Sequence, residues 1–436
     1  MRFFSTFDRR CYWLLLIVTV NVPGFTAFDA SGKTKDFGLF NPQSISHILL
    51  TLLVGGAAFV FFVTRQSPAA IRLVRLRLTL VLVLYAVFLC TALPWPPKDV
   101  ALSIYRIAEW GLGIALVVGL FASSPERTDK LTSELLYRIA AAIIVIVAIA
   151  AVISPELALQ SIDGDTGFLA FRFGGSVYPP NTVGTLAGIA LYYVILFKRG
   201  WLRLFLIGFF GAALVFTYSR GALIAFVFSY FIVGILFGKL LTRILNIMAA
   251  LSACAIGLVY QDKVVSVLSR GGSTGSLTAA SGRLMIWLAG WKMFLVHPFR
   301  GWGFISGIRR HIQDYYTNST FAPQHLHNEL LQAIVSGGIL TGIILILIFS
   351  VALIRGFRHV RASLWQQFIL CATIQVIFHA MEGPVFSAEF LPIGAVALIC
   401  VTSLALVQQY GLPQEEARDV NDQEITRKAL PVLEGA

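Results

Sequence analysis

A histidine at the end of the longest polar segment is the side chain in this sequence best suited to proton transfer. His327 and Asn328 lie where residues 261–326 give way to an apolar run at about 327–354. An imidazole whose unperturbed pKa is about 6.5 can take a proton from an attacking hydroxyl at neutral pH. A lone histidine in such a place also caps helices or lies at membrane interfaces, so the residue type alone leaves both interpretations open.

Small residues follow this histidine at helical spacing. Gly338 comes eleven residues after His327, which is three helical turns at about 3.6 residues per turn, so we expect both residues on one helix face. Thr341 falls near the same face. Gly338 and Gly342 form a small-xxx-small pair, a spacing that allows a neighbouring helix to pack closely.

Two arginines stand in connections between apolar segments. Arg220 lies in the short turn Thr217–Gly221, and Arg172 lies in a loop that also contains Asn181. A guanidinium is the natural bidentate partner of a diphosphate. An arginine in a short turn also reaches lipid phosphate by snorkelling, and the second loop fits an ordinary connector rich in turn formers.

The pattern His-Asn, nine residues, Gly, two residues, Thr resembles the hallmark of the bacterial O-antigen ligases. These polytopic glycosyltransferases share a domain with O-antigen polymerases and protein O-oligosaccharyltransferases. The resemblance implies that His327 activates the acceptor sugar hydroxyl, and that Asn328 and Gly338 belong to the substrate-binding region. Ser219-Arg220-Gly221 is similar to the turn that carries the family's essential arginine. By the same resemblance, Arg172, with Asn181 nearby, is a second diphosphate-binding arginine, and catalysis requires no metal or other cofactor.

The polar segment before His327 resembles the family's outer loop, which ends in a Pro-x-x-Gly-x-Gly turn. Arg283 is expected to hold phosphate or core sugars, and Arg300 to meet anionic lipopolysaccharide, although surface solvation also explains Arg300. The stretch Arg283–His297 is apolar but too short to cross a bilayer, and it contains a lysine. We therefore predict an interfacial helix, with Trp287, Trp291 and Phe294 in the headgroup zone.

Composition excludes an ordinary soluble protein. Hydrophobic residues make up 57% of the 436 residues, charged residues 13%, and mean hydropathy is +0.79. A soluble domain of this size has about a quarter charged residues. The net charge of +12 comes from basic residues dispersed between apolar segments. That distribution favours positive-inside placement and contact with anionic membrane lipids over nucleic-acid binding.

The apolar pattern predicts an all-α integral membrane protein with about twelve transmembrane helices, and the resemblance implies a GT-C-like architecture. The expected spans are at about 10–28, 44–64, 77–94, 101–121, 136–153, 182–197, 201–217, 221–238, 243–260, 327–354, 364–381 and 389–408. The chain then divides into nine spans in 1–260, a periplasmic loop at 261–326, three spans in 327–408 and a disordered cytoplasmic tail at 409–436. Lysine and arginine asymmetry places both termini in the cytoplasm and the long loop outside. The resemblance implies the bacterial inner membrane, with the active site facing the periplasm.

The resemblance implies transfer of a glycan from an undecaprenyl-diphosphate-linked O-antigen donor to a sugar hydroxyl of lipid A–core. An O-antigen polymerase remains an alternative, since Arg172 and Gly188 match an Arg-x15-Gly pattern, but the long loop offers no second match. Protein O-oligosaccharyltransferases usually carry an added C-terminal domain. A twelve-span transporter is the alternative from another class, although transporters commonly consist of two similar halves and these halves differ. His379 and Glu382, between the last two spans, are candidates to support His327.

Overall fold

The computed structural model describes most of the chain from Val100 onward. The described residues are 100–123, 128–161, 171–259 except 176, 283–316 except 305, 325–359, 363–386 and 392–406, with Pro323 and scattered positions between 13 and 56. The first three predicted spans lie almost wholly outside these residues. Residues 261–282 of the predicted loop and the predicted tail at 409–436 also lie outside them.

The described part of the chain is mostly helical. Its helices are α1 (Val100–Ser123), α2 (Thr128–Ile153), α3 (Pro155–Ala158), α4 (Pro180–Phe197), α5 (Gly200–Phe216), α6 (Arg220–Phe237), α7 (Leu240–Val259), α8 (Arg283–Val296), α9 (Ser306–Tyr315), α10 (Glu329–His359), α11 (Leu364–Ala380) and α12 (Pro392–Leu406). Each span predicted from residue 101 onward overlaps one of these helices. Among the described residues, four helices, α2, α4, α6 and α10, are long and apolar enough to cross a membrane. A mostly helical chain with candidate membrane spans is therefore confirmed; the number twelve remains a prediction.

Helix α4 is the central helix of the bundle. In its most apolar stretch 78% of residues are buried, against 22% for α6, as expected for a helix that is apolar on all sides. It packs against α2, α5, α6 and α11. Gly188 lets α11 approach closely, because a Cβ there would lie 2.8 Å from the amide nitrogen of Gln375. That same amide donates a hydrogen bond to the carbonyl of Ala222 in α6, at 3.0 Å.

A short antiparallel sheet interrupts the helices, so the all-α prediction was incomplete. Strand β1 (Leu159–Ser161) pairs with β2 (Phe171–Phe173), and Gln160 lies opposite Arg172. The following glycines close the connection to α4: Gly174 has φ +103°, and a Cβ on Gly175 would lie 2.6 Å from the carbonyl oxygen of Leu157. The segment predicted as a turn-rich connector therefore has a fixed backbone that supports Arg172.

Helix α10 is broken at Gly338, which corrects the expectation of one continuous helical face. Gly338 has φ +78° and ψ −178°, and α10 begins at Glu329, after His327. The turn at residues 298–303 replaces the helical hydrogen bonds lost at the break. Its amides Trp302 N and Gly303 N donate to the carbonyls of Val335 and Ser336 at 2.8 Å, and Ile339 N donates to the carbonyl of Pro298 at 2.8 Å. The Pro-x-x-Gly-x-Gly turn is therefore a docking element for this helix.

Helix α8 corresponds to the segment predicted as an interfacial helix. With 14 residues it extends over about 21 Å, too short for a bilayer. Trp287 is half-buried and donates its ring N–H to the carbonyl of Leu326 at 3.0 Å. Phe294 is 8% exposed, whereas Trp291 is 48% exposed. Of the three aromatic residues predicted for the headgroup zone, Phe294 is therefore buried, Trp287 is partly buried and Trp291 is exposed; the interfacial position of α8 remains a prediction.

Gly338→Ala should destabilise the protein strongly. The substitution forces a left-handed backbone on a residue with a Cβ, and that Cβ would overlap the carbonyl group of Phe299 in the docked turn. The backbone conformation alone, which is essentially restricted to glycine, costs on the order of 1–3 kcal/mol. Thermal unfolding in detergent measures the effect. Gly211→Ala in α5 is the matched control, because a Cβ there meets nothing within 4 Å; equal melting temperatures for the two variants would contradict the docking role of Gly338.

Candidate active site

His327 lies in a short loop whose backbone is fixed on both sides. The preceding residue, Leu326, is fully buried; its carbonyl accepts the Trp287 ring N–H, and its amide donates to the Gln332 side chain at 2.8 Å. His327 itself has φ +51°. A non-glycine residue in the left-handed region costs on the order of 1–3 kcal/mol and often marks a functional site. The hydrogen bonds around Leu326 hold this conformation.

The first turn of α10 ties this loop to a second one. The side-chain oxygen of Asn328 accepts a hydrogen bond from Leu331 N at 3.0 Å, so Asn328 caps α10. The buried carboxylate of Glu329 accepts hydrogen bonds from Val385 N at 2.6 Å and Phe386 N at 3.1 Å. Glu329 therefore pins residues 381–386, the segment after α11, against the loop of His327.

The pinned segment supplies the partner of the imidazole. The ring of His327 donates a hydrogen bond to the backbone carbonyl of Glu382. A donor at one ring nitrogen leaves the other nitrogen of the neutral imidazole with its lone pair free. This is the tautomer and orientation that a general base requires.

Burial keeps this imidazole neutral. Loss of solvation lowers the pKa of His327 to about 3, and the neighbouring His325 and Arg283 add to the effect. The rings of His325 and His327 lie 4.3 Å apart, and burial lowers the pKa of His325 to about 4. Both histidines are therefore uncharged at neutral pH.

Arg172 lies beside the turn that leads to Arg220. Its Nε donates to the carbonyl of Thr217 at 3.0 Å, and its Nη2 donates to the side-chain oxygen of Asn181 at 3.1 Å. Asn181 is in the first turn of α4, and His379 of α11 donates to its backbone carbonyl. His379 also forms a hydrogen bond with the hydroxyl of Thr185, at 2.9 Å between Nδ1 and Oγ1. His379 therefore supports the arginine side of the site.

The turn before α6 presents Arg220 at a helix N-terminus. Tyr218 has φ +50°, so this turn also has a left-handed residue. Ser219 caps α6, because its hydroxyl accepts a hydrogen bond from Ala222 N at 3.3 Å. Arg220 is the first residue of α6, where the backbone amides and the helix dipole favour anions.

Glu382 connects this helix end to Arg283. Its carboxylate accepts a hydrogen bond from the amide of Gly221 and lies 4.0 Å from Nη1 of Arg283, the first residue of α8. Burial raises the pKa of Glu382, whereas Arg283 and Arg172 lower it. Two arginines and one backbone amide, from three separate segments of the chain, thus act on this carboxylate.

The structure brings most of the predicted site residues into one cluster. Contacts join Arg172, Asn181, the Thr217–Gly221 turn, Glu382, Arg283 and His327. Arg300 is exposed on the docked turn, and none of these contacts involves it. Gly338 lies under that turn at the break in α10. Sequence reasoning did not identify Glu329, because an acidic residue in the first turn of a helix is ordinary and gives no sign of its distant partners.

One comparison with known proteins bears directly on this cluster. Residues 204–346 match the model of a family described as O-antigen ligase. This segment is therefore similar to the O-antigen ligase domain. It covers about a third of the chain and includes the Arg220 turn, α8, the docked turn, His327 and Gly338. Arg172, Asn181 and Glu382 lie outside it. No curated protein gives a significant match to the chain.

The match supports the resemblance seen in the sequence. The match over residues 204–346 supports membership in the O-antigen ligase superfamily, which is related to glycosyltransferases, and the apolar helices indicate a membrane protein. In general terms, the family implies lipid-linked glycans and lipid A–core as substrates.

The low pKa of His327 predicts acid sensitivity of the folded state. The unfolded chain binds a proton at a pKa of about 6.5, whereas the folded chain does so only at about 3. The contribution to stability is therefore complete above pH 6.5 and decreases as the pH falls toward 3. At pH 5 the loss amounts to about 2 kcal/mol. His327→Asn, which keeps a residue tolerant of positive φ, should reduce the drop in melting temperature between pH 7.5 and 5; an unchanged drop would show that the imidazole is not held neutral.

Proposed function

We propose that the protein is an O-antigen ligase acting at the periplasmic face of the bacterial inner membrane. It transfers a glycan from undecaprenyl diphosphate to a sugar hydroxyl of lipid A–core without a metal ion. The observation that carries this proposal is the junction at Glu382 between a neutral, oriented imidazole and an arginine cluster. An inverting glycosyl transfer needs a base for the acceptor hydroxyl and, on the other side of the anomeric carbon, groups that bind the leaving diphosphate.

His327 acts as the general base in this proposal. The proton of the acceptor hydroxyl passes to the free ring nitrogen of His327. The hydroxyl oxygen bonds to the anomeric carbon from the face opposite the diphosphate, and the bond from that carbon to the diphosphate oxygen breaks. Undecaprenyl diphosphate leaves with the bonding electron pair, and the anomeric centre inverts.

The arginines stabilise the leaving diphosphate. Arg172, Arg220 and Arg283 lie on three segments that converge on Glu382. Positive groups placed in advance neutralise charge that develops as the bond breaks, the role often played by a metal ion elsewhere. A bound diphosphate also offsets the positive field of Arg283 on His327. The pKa of the imidazole therefore rises when the donor is present, which makes it a stronger base in the loaded enzyme.

The remaining site predictions fit supporting roles in this proposal. Asn328 sets the start of α10 and thereby the orientation of His327. Gly338 receives the docked turn that carries Arg300. Contact of Asn328, Gly338 or Arg300 with substrate remains a prediction.

Reconstitution in liposomes tests the proposed reaction. Purified protein receives lipid-linked glycan and lipid A–core, each reaction being run with and without EDTA. The proposal expects core-attached glycan under both conditions. Longer glycans without attachment to core would make the protein a polymerase. Loss of product in EDTA would contradict metal-independent transfer, and absence of any glycosyl product would contradict a transferase.

Arg172→Lys should raise the KM for the lipid-linked donor by about tenfold, which corresponds to about 1.4 kcal/mol. The guanidinium bonds two acceptors, the Thr217 carbonyl and the Asn181 side chain, and a lysine ammonium is a point charge that cannot reproduce this fork. Initial rates at varied donor concentration measure the effect. Arg300→Lys is the matched control, for which the donor KM should stay within about twofold; an unchanged donor KM in a folded Arg172→Lys protein would remove Arg172 from donor binding.

A further inference from the structure

We propose that the Glu382 side chain is a positioning residue that fixes the diphosphate-binding arginines relative to the base. The inference rests on the proposed ligase reaction. It assigns to this carboxylate the task of holding Arg283 and the Arg220–Gly221 turn in one arrangement before the donor binds. The carboxylate itself touches neither the glycan nor the acceptor.

The close approach of Glu382 to α6 is the first observation. Its carboxylate accepts the Gly221 amide N–H. A Cβ at position 221 would overlap both carboxylate oxygens. Only a glycine at position 221 therefore allows the carboxylate to lie this close to the backbone. The carboxylate thus fixes the backbone of the residue that follows Arg220.

The second observation is the position of the negatively charged Glu382 carboxylate near two arginines. The Glu382 side chain is 20% exposed and that of Arg283 is 26% exposed, with 4.0 Å between Oε1 and Nη1. Arg172 also acts electrostatically on the carboxylate. Without a diphosphate, Arg172 and Arg283 repel each other, and an anion between them holds both near the positions they need. Such preorganisation reduces the ordering that donor binding must impose.

The backbone of the same residue is the third observation. Glu382 N donates to the carbonyl of His379 at 2.8 Å, and its carbonyl accepts the ring N–H of His327. One residue therefore contacts the base through its main chain and the arginine side through its carboxylate. A substitution of the Glu382 side chain therefore changes only the contacts of the carboxylate. The backbone carbonyl that orients His327 stays in place.

Glu382→Gln in the full-length protein in liposomes tests the proposal. Glutamine keeps the volume and an oxygen for the Gly221 amide but has no charge for Arg283. We expect the donor KM to rise about tenfold, since a charge-assisted contact is lost, while the acceptor KM stays within about twofold. An unchanged donor KM would overturn the proposal. A lower donor KM would overturn it as well, because the carboxylate would then compete with the diphosphate.

A double-mutant cycle decides whether Glu382 acts through Arg283. If it does, Glu382→Gln should raise the donor KM by a clearly smaller factor in an Arg283→Gln background than in the wild-type protein; fully additive effects would contradict the proposal. A general packing defect would instead lower kcat and the melting temperature together without selecting the donor.

Binding of undecaprenyl diphosphate, measured by quenching of tryptophan fluorescence without acceptor, separates this proposal from the proposed function. A wild-type protein that transfers no glycan would contradict the ligase reaction. Weaker binding in Glu382→Gln than in wild type would still support the role of the carboxylate. Wild-type transfer with identical binding in both proteins would contradict the Glu382 proposal alone.

Discussion

The two hydrogen bonds from Val385 N and Phe386 N to the buried carboxylate of Glu329 are the interaction on which the site depends. Burying a carboxylate is costly unless hydrogen bonds satisfy its oxygens, and these two backbone amides each satisfy one oxygen. The bonds join the start of α10 to the segment after α11. They help to hold the segment that presents the carbonyl of Glu382 to His327 and its carboxylate to Gly221.

Hydrogen bonds hold the strained backbone in the two turns of the site, at Tyr218 and at His327. Tyr218 and His327 are the non-glycine residues with positive φ in the described part of the chain. One precedes Arg220 and the other is the proposed base. Hydrogen bonds hold each turn: Ser219 caps α6, and Trp287 and Gln332 fix Leu326. Strain is thus concentrated where orientation matters most for the chemistry.

Apolar runs in the sequence predicted the helices from residue 101 onward. The chemistry of histidine and arginine, together with the family resemblance, singled out His327, Arg220, Arg172 and Arg283 as candidates. The structure places these candidates on segments that meet at Glu382, and their roles remain predictions. The helix break at Gly338 was missed, because its cause is the distant turn at 298–303, whose amides replace the helical hydrogen bonds. Helical spacing alone could not show that partner. The same limit applies to Glu329 and to Gly221, whose roles come from residues more than fifty positions away.

A single-turnover transfer assay on His327→Asn tests the central claim most directly. Asparagine tolerates the positive φ at this position but cannot accept the hydroxyl proton as an imidazole does. With donor and acceptor saturating, the account predicts donor binding close to wild type and a transfer rate lower by about 10²–10⁴-fold. A folded His327→Asn protein that transfers glycan at the wild-type rate would contradict the account, because the base would then be another group.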